Sequence, residues 1–189
     1  PTRRSSDLVD NRQTHTDIAA PQPIPFSSWG AVNPAGEAVS AISLRLSMKP
    51  ATIVLKDYNW RSPQVEMLSE AVSSNSGRGR VMEFGDHFKD PTEGGFLANV
   101  RAQEVACGES TYTGKSAVRA FRPGGKFTLD GHFRAENDRI YLITEVRHIV
   151  EELSSVGTAA GGEADQPVYQ NTFRAIPSDV QFRPARVRS

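Results

Sequence analysis

An alternation of apolar and polar residues runs through the second half of the chain and constrains its fold more than any other feature. Residues 115–151 divide into three such segments, separated by short turns at Pro123–Gly124 and Asp130–Gly131. The longest segment covers residues 140–150 and is followed by a partner segment at 168–176. A period of two residues is typical of half-buried β-strands, and turns this short join antiparallel neighbours. The sequence therefore predicts an antiparallel sheet.

The sequence also predicts strands outside this region, and a loop. Residues 65–71 fit either a strand or a helical turn. Residues 154–166 are rich in Gly, Ala and Ser and are predicted to form a hairpin loop. Pro177 ends the regular structure. The other strands predicted by alternation cover residues 41–47, 81–84, 117–121 and 127–129. Residues 51–60 are predicted to be a strand or a strand-like edge because they are rich in β-branched and aromatic residues.

One helix is predicted, over residues 91–107. Asp90 has the character of an N-cap, Pro91 follows at the first helical position, and Glu93 falls at capping-box spacing. The helix should end near Gly108. Its apolar face is predicted to consist of Phe96, Leu97, Val100 and Val105 with the alanines between them.

The first 40 residues are predicted to be irregular, because four prolines between Pro21 and Pro34 exclude a long helix. Trp29 is expected to anchor this segment on the neighbouring body. Residues 1–8 show no periodicity and do not begin with Met, so they are interpreted as a non-native extension.

Composition excludes several classes of protein. The chain has 22 basic and 22 acidic residues, so it lacks the excess of positive charge that is typical of nucleic-acid-binding proteins. No apolar run approaches the ~18 residues of a membrane helix, and no signal peptide is expected. Hydrophobic residues make up 38% of the chain, which predicts a thin core or burial against other chains.

No pattern for catalysis or metal binding is found. Cys107 is the single cysteine, so the chain can form no internal disulfide and no cysteine-based metal site, and its thiol is predicted to be a buried spectator. The four histidines lack ligand spacing, and no Gly-x-Ser-x-Gly elbow or phosphate loop is present. Asp86–His87 and Gly131–His132 are interpreted as turn residues that bond local backbone, and His148 as a half-buried pair partner on a strand.

The remaining charged groups are interpreted as solvated. Glu151–Glu152 and Glu136 with Asp138 lie at strand ends or turns. The basic C-terminal region lacks the aromatic residues of a nucleic-acid binder, and it contains Arg174, Arg183, Arg186 and Arg188. The sequence therefore predicts no catalytic, cofactor-binding or metal-binding residues, and no cofactor.

A series of short motifs runs through the chain in a fixed order. They are DYNWRSP at 57–63, EFGDHFK at 83–89, RAQE at 101–104, FRPG at 121–124, FTLDGH at 127–132, YLITEVRH at 141–148, YQNTFRAIP at 169–177 and FRP at 182–184. In sequence and in order this series resembles VgrG, the spike protein family of type VI secretion systems, with small departures at Trp60, Phe84 and Ile143.

The resemblance implies a mainly β fold, an antiparallel β-barrel of the phage tail hub type with an inserted helix-containing segment. On this interpretation the barrel comprises residues 41–66 plus 109–184, the insertion comprises residues 67–108, and residues 185–189 begin a linker to spike domains.

The resemblance also implies a structural, non-enzymatic hub. In the family such a hub forms a homotrimeric, pseudo-sixfold ring on a tube of Hcp-type hexamers and carries downstream spike and effector domains. It implies residence in the bacterial cytoplasm before injection, with no nucleic acid partner and no stable membrane insertion. A prophage tail hub, or a peptidoglycan- or carbohydrate-binding module with a surface row of aromatics, remains the alternative.

Overall fold

The alternating segments form strands, and the segment that carries the capping motif forms a helix. The computed structural model describes residues 11–27, 37–151 and 168–186. Predictions that concern residues 1–8, Trp29, Glu152, residues 154–166 and Arg188 lie outside this range. The elements are β1 (Ile24–Pro25), β2 (Val39–Leu46), β3 (Thr52–Asp57), β4 (Met67–Val72), β5 (Arg80–Phe84), α1 (Pro91–Ala106), β6 (Ser110–Ser116), β7 (Lys126–Asp130), β8 (Ile140–Glu151) and β9 (Val168–Pro177).

The chain divides into two compact units. Unit 1 comprises Pro1–Leu44 and Tyr112–Ser178, and unit 2 comprises Arg45–Thr111 and Asp179–Ser189. This division differs from the predicted one, because β3 pairs with β4 and β5 rather than with a strand of the larger sheet. Residues 179–184, predicted to be part of the barrel, also belong to unit 2.

In the described residues, unit 1 is built on a sheet of six strands in the order β1-β7-β8-β9-β6-β2. The β8–β9 hairpin runs antiparallel from Tyr141↔Pro177 to Glu151↔Val168, with a register shift between Ile143 and Glu145. A bridge between Phe26 and Val39 connects the two outer strands. The sheet therefore closes on itself, which shields the strand edges that an open sheet would expose.

An aromatic core fills unit 1. Phe127 stacks on Tyr141 with ring centroids 5.3 Å apart, and Phe121 meets Phe173 edge to face at 5.1 Å. All four side chains are buried. Residues 117–121 were predicted to be a strand, but they form a loop and a turn whose Val118 and Phe121 enter this core. Such pairs contribute packing beyond the area that they bury.

Unit 2 combines one helix with a small sheet, of three strands among the residues described, in the order β4-β3-β5. Asp90 Oδ1 caps α1 by accepting from the backbone N–H groups of Thr92 and Glu93 at 2.8 and 2.9 Å. The Glu93 carboxylate accepts from the N–H of Lys89 at 2.7 Å. The predicted helix start is therefore confirmed, and the helix ends one residue earlier than predicted.

The buried face of α1 agrees with the prediction at its alanines and differs from it at Gly94 and Phe96. Gly94, Ala98 and Ala102 are the buried residues of the helix, whereas Phe96 is 66% exposed. Gly94 lies against Ser69 of β4 and against Phe88, so close that a Cβ atom would collide with both. The helix therefore packs through its smallest residues because it approaches the sheet closely. Leu97 and Val105 pack at the margin of this core.

Candidate functional site

The loop between β5 and α1 turns a carboxylate toward the helix. Gly85 and His87 have positive φ angles, of 88° and 57°. Among the residues that the structure describes, His87 is the one non-glycine residue with a positive φ angle. Asp86 lies between Gly85 and His87. Its Oδ1 accepts a hydrogen bond from Arg186 Nη1 at 2.7 Å, and its Oδ2 lies 3.8 Å from Arg101 Nε. Asp86 was predicted to bond local backbone, but it instead binds arginines distant in sequence.

Helix α1 supplies the other half of this arrangement. Arg101 Nη1 donates to Glu104 Oε2 at 2.9 Å, while Glu104 Oε1 accepts from the backbone N–H of Arg186 at 2.7 Å. Asp86 Oδ2 and Arg101 Nε are both buried and have no hydrogen-bond partner. The distance between these two atoms is too long for a direct hydrogen bond. Because both atoms are buried, solvent screens the attraction between their charges only weakly.

The segment at residues 181–186 is held at two further points. Cys107 Sγ lies 2.9 Å from the carbonyl oxygen of Gln181, to which it donates, and it accepts from the N–H of Arg183 at 3.1 Å. Arg183 Nε donates to Gln103 Oε1 at 2.9 Å. We refer to Asp86, Gln103, Glu104, Cys107 and the segment that they bind as the α1 polar cluster.

Two groups of this cluster have altered pKa values. Burial raises the pKa of the Cys107 thiol above its ordinary value, an effect that the Arg183 N–H partly opposes. The hydrogen bond to Asp86 raises the pKa of Arg186. The thiol is therefore protonated at neutral pH and is a poor nucleophile, as the sequence interpretation expected of a buried spectator.

The geometry of the cluster suits attachment rather than chemistry. An open pocket of about 410 Å³ adjoins it, lined by residues 82–86 and by Arg186. Across residues 11–27, 37–151 and 168–186, no group of three or more His, Cys, Asp or Glu side chains is placed to hold a metal ion. Each acid of the cluster is paired with an arginine or a backbone N–H, so the cluster fastens one segment to another.

The histidines are placed separately. His132 is buried, and its ring nitrogen accepts from the N–H of Arg134 at 3.0 Å, which confirms the predicted bond to local backbone. His148 Nδ1 lies 2.6 Å from the hydroxyl of Tyr169. The predicted pairing of His148 is therefore confirmed, although its side chain is exposed rather than half-buried. His15 Nδ1 lies 3.1 Å from the carbonyl oxygen of Gly124.

Unit 2 also carries an exposed apolar surface that the sequence did not predict. On β5, Met82 is 57% exposed and Phe84 is 71% exposed. Tyr58 and Trp60, in the loop after β3, are exposed as well. The alternation in β5 predicts that Met82 and Phe84 share one face of the strand. It does not predict whether other parts of the protein bury that face. Large exposed apolar groups of this kind mark interaction surfaces.

The fold and these sites define a mainly β protein that has a cluster of paired polar groups on α1 and an exposed apolar surface. The model of the phage tail baseplate hub (GPD) family matches residues 7–154. The chain therefore belongs to this family, and its curated relatives show it to be a VgrG-like hub region.

Two VgrG proteins are among the curated relatives. The actin cross-linking toxin VgrG1 of Vibrio cholerae serotype O1 is 24% identical over 169 residues, which cover 86% of this chain and 15% of the toxin. The type VI secretion system spike protein VgrG5 of Pseudomonas aeruginosa is 24% identical over 155 residues, covering 77% of this chain and 20% of that protein. The chain thus spans a small part of the length of both.

Solved structures of tail proteins share the fold. The 43 kDa tail protein of prophage MuSo2 from Shewanella oneidensis aligns with a TM-score of 0.58 at 9% identity, over 89% of this chain and 47% of that one. The tail protein from Neisseria meningitidis MC58 gives a TM-score of 0.54 at 9% identity, over 88% and 47%. At this identity the likeness concerns the fold alone.

Proposed function

We propose that this chain is a structural hub and adaptor of a type VI secretion spike, and that it has no enzymatic role. Three copies would form a pseudo-sixfold ring that rests on a tube of Hcp-type hexamers and carries the puncturing tip. The observation that carries the proposal is the family match over residues 7–154, together with two VgrG relatives that cover most of this chain.

The described geometry supports a role in assembly. Unit 1 has a buried aromatic core and a sheet that closes on itself. Unit 2 exposes Met82 and Phe84 beside a strand edge, where a neighbouring subunit could bury them. In this proposal the hub stays in the bacterial cytoplasm until the machine fires and is then injected with the spike.

A prophage contractile-tail hub is the second candidate, favoured by the fold shared with two phage-type tail proteins. The same family description covers it. The two candidates differ in the tube protein on which the ring would rest, so a binding assay against both kinds of tube separates them.

A carbohydrate- or peptidoglycan-binding module receives less support. It requires a row of exposed aromatic side chains on the barrel. The barrel aromatics that are buried include Tyr112, Phe121, Phe127, Tyr141 and Phe173, and Phe133 is the fully exposed one in the described part of unit 1. One exposed ring does not make a sugar-binding platform.

The decisive experiment combines mass and binding. Native mass spectrometry of the purified chain should give a species of about three times the 20.7 kDa of one chain. Immobilised Hcp-type hexamers should retain this species, while a phage tube protein should not. A chain that stays monomeric and passes over Hcp-type rings unretained would refute the proposed ring, and retention by the phage tube alone would favour the prophage hub.

A further inference from the structure

The segment at residues 181–186, which we call the strap, has no regular secondary structure and is nevertheless bound along its length. At one end the Cys107 thiol bonds the backbone of Gln181 and Arg183. At the other end Glu104 and Asp86 bind the backbone and the guanidinium of Arg186. The partners of the strap lie 74 to 100 residues away in sequence.

The far end of the strap is attached by polar contacts. Gln181, Phe182 and Arg183 are partly buried, whereas Pro184, Ala185 and Arg186 are exposed. The exposed end buries little apolar area, so it draws little stability from the hydrophobic effect. Such segments belong to the part of a protein that opens locally, without global unfolding. The attachment of this end should therefore depend on the charged groups that meet Arg186.

Asp86 is suited to control this attachment. Its side chain is 13% exposed, and its second oxygen is buried near Arg101 without a hydrogen bond. A hydrogen bond between two charged groups is about twice as strong as a neutral one. The carboxylate therefore binds Arg186 more strongly than a neutral acceptor would, while the 42% exposure of the Arg186 side chain weakens the pair through solvent screening. Asp86 itself lies in the turn between Gly85 and His87.

We propose that the strap is a releasable fastening, which the Asp86–Arg186 pair keeps closed on helix α1 and which covers the Cys107 thiol while closed. The proposal rests on the proposed hub function.

The single thiol offers a direct test. Alkylation of Cys107 by N-ethylmaleimide in the full chain measures how often the strap opens. Asp86→Asn and Arg186→Gln should each raise the alkylation rate by about tenfold, the factor expected when one charge-assisted hydrogen bond is lost. Arg186→Lys keeps the charge and should raise the rate by no more than about threefold.

Arg80→Gln is the matched control, because Arg80 forms an ion pair with Glu70 in the same unit, at 3.6 Å, away from the strap. Its rate should equal that of the unchanged chain. Low concentrations of urea distinguish release from unfolding: a local opening exposes little surface, so the rates of Asp86→Asn and Arg186→Gln should be nearly independent of urea.

Two results would overturn the strap proposal. Alkylation of Asp86→Asn and Arg186→Gln at the unchanged rate would show that the pair does not keep the strap closed. Rates that rise with urea as steeply as global unfolding would show that the thiol is reached only through the unfolded state. Solution mass and retention on Hcp-type rings, measured on the same variants, report separately on the hub.

Discussion

The side-chain amide of Asn171, fully buried on β9, donates to the backbone carbonyl oxygen of Val118 at 2.7 Å. Its Oδ1 accepts from the hydroxyl of Ser116 at 2.9 Å, and that hydroxyl oxygen accepts in turn from the N–H of Val118 at 3.2 Å. The amide also lies 3.1 Å from the Tyr169 hydroxyl. These bonds explain why the chain leaves the sheet at Val118, since the backbone N–H and carbonyl of this residue bond to side chains rather than to a neighbouring strand.

Asn171→Leu should therefore destabilise the chain strongly. The substitution keeps the number and branching of the side-chain heavy atoms, but it removes the acceptor of the buried Ser116 hydroxyl proton. It also leaves the Val118 carbonyl with the longer bond from the Tyr169 hydroxyl at 3.4 Å. Together these losses should cost about 2–4 kcal/mol. Urea unfolding followed by circular dichroism measures this loss. Asn99→Ala is the matched control, because Asn99 is exposed on α1 and bonds only its own helix; it should change the free energy of unfolding by less than about 0.5 kcal/mol. Equal effects of the two would show that the buried network carries no special stability.

Two adjacent glycines in α1 should respond in opposite directions to the same substitution. A Cβ at Gly94 would lie 2.6 Å from Ser69 Oγ and 2.7 Å from a ring carbon of Phe88, whereas one at Gly95 meets nothing within 4 Å. Gly94→Ala should destabilise by about 1–3 kcal/mol through overpacking. Gly95→Ala should stabilise by roughly 0.5–1 kcal/mol, since alanine is the better helix former. Thermal unfolding of both variants checks the pair, and a stabilising Gly94→Ala would contradict the close approach of helix and sheet.

The same helix shows what the sequence could and could not predict. The cap was predictable because Asp90, Pro91 and Glu93 act within one turn. The buried face was not, because its choice depends on how closely β4 approaches, and that distance is set by residues far away in the chain. β3 illustrates the same limit. Its β-branched and aromatic residues predicted a strand, but they contained nothing to say that its partners are β4 and β5.

Tyr141 should make the chain sensitive to alkaline pH. Burial raises the pKa of this phenol above its ordinary value of about 10, and its hydroxyl donates to the carbonyl oxygen of Asn137 at 2.8 Å. The unfolded chain therefore loses this proton at lower pH than the folded chain does. Stability from this group is complete below about pH 10 and falls as the pH rises further, by up to about 1.4 kcal/mol per pH unit.

Unfolding by urea at pH 8 and at pH 11 measures this dependence. Tyr141→Phe should lose about 1 kcal/mol at pH 8, because the hydrogen bond to Asn137 is gone. It should then lose less than the unchanged chain between pH 8 and pH 11. Cys107→Ala serves as a second comparison, since burial raises the pKa of that thiol too and its contribution has the same sign. The same pH dependence in Tyr141→Phe as in the unchanged chain would show that another group is responsible.

The α1 polar cluster could not be predicted from the sequence either, because its contacts join residues that are far apart in the chain. Asp86 was interpreted as a turn residue, and its neighbours Gly85 and His87 do form a turn with positive φ angles. Its function in the fold comes from Arg186, which is 100 residues later in the chain. A local pattern can identify the turn, but the partner of a charged side chain is set by tertiary structure.

The exposed apolar residues of β5 should be needed for association. Met82 and Phe84 lie on an edge strand of the described sheet of unit 2 and are 57% and 71% exposed. Association would remove them from water, and replacing both with serine would remove most of that gain. The double variant Met82→Ser, Phe84→Ser should therefore raise the dissociation constant of the species of three chains by tenfold or more. Native mass spectrometry across a dilution series measures this constant.

Val150→Ser is the matched control, because Val150 is 64% exposed on β8 of unit 1. It should leave the proportion of monomer and trimer unchanged. A double variant that associates like the unchanged chain would move the interface away from β5, and loss of association in Val150→Ser alone would place it on unit 1.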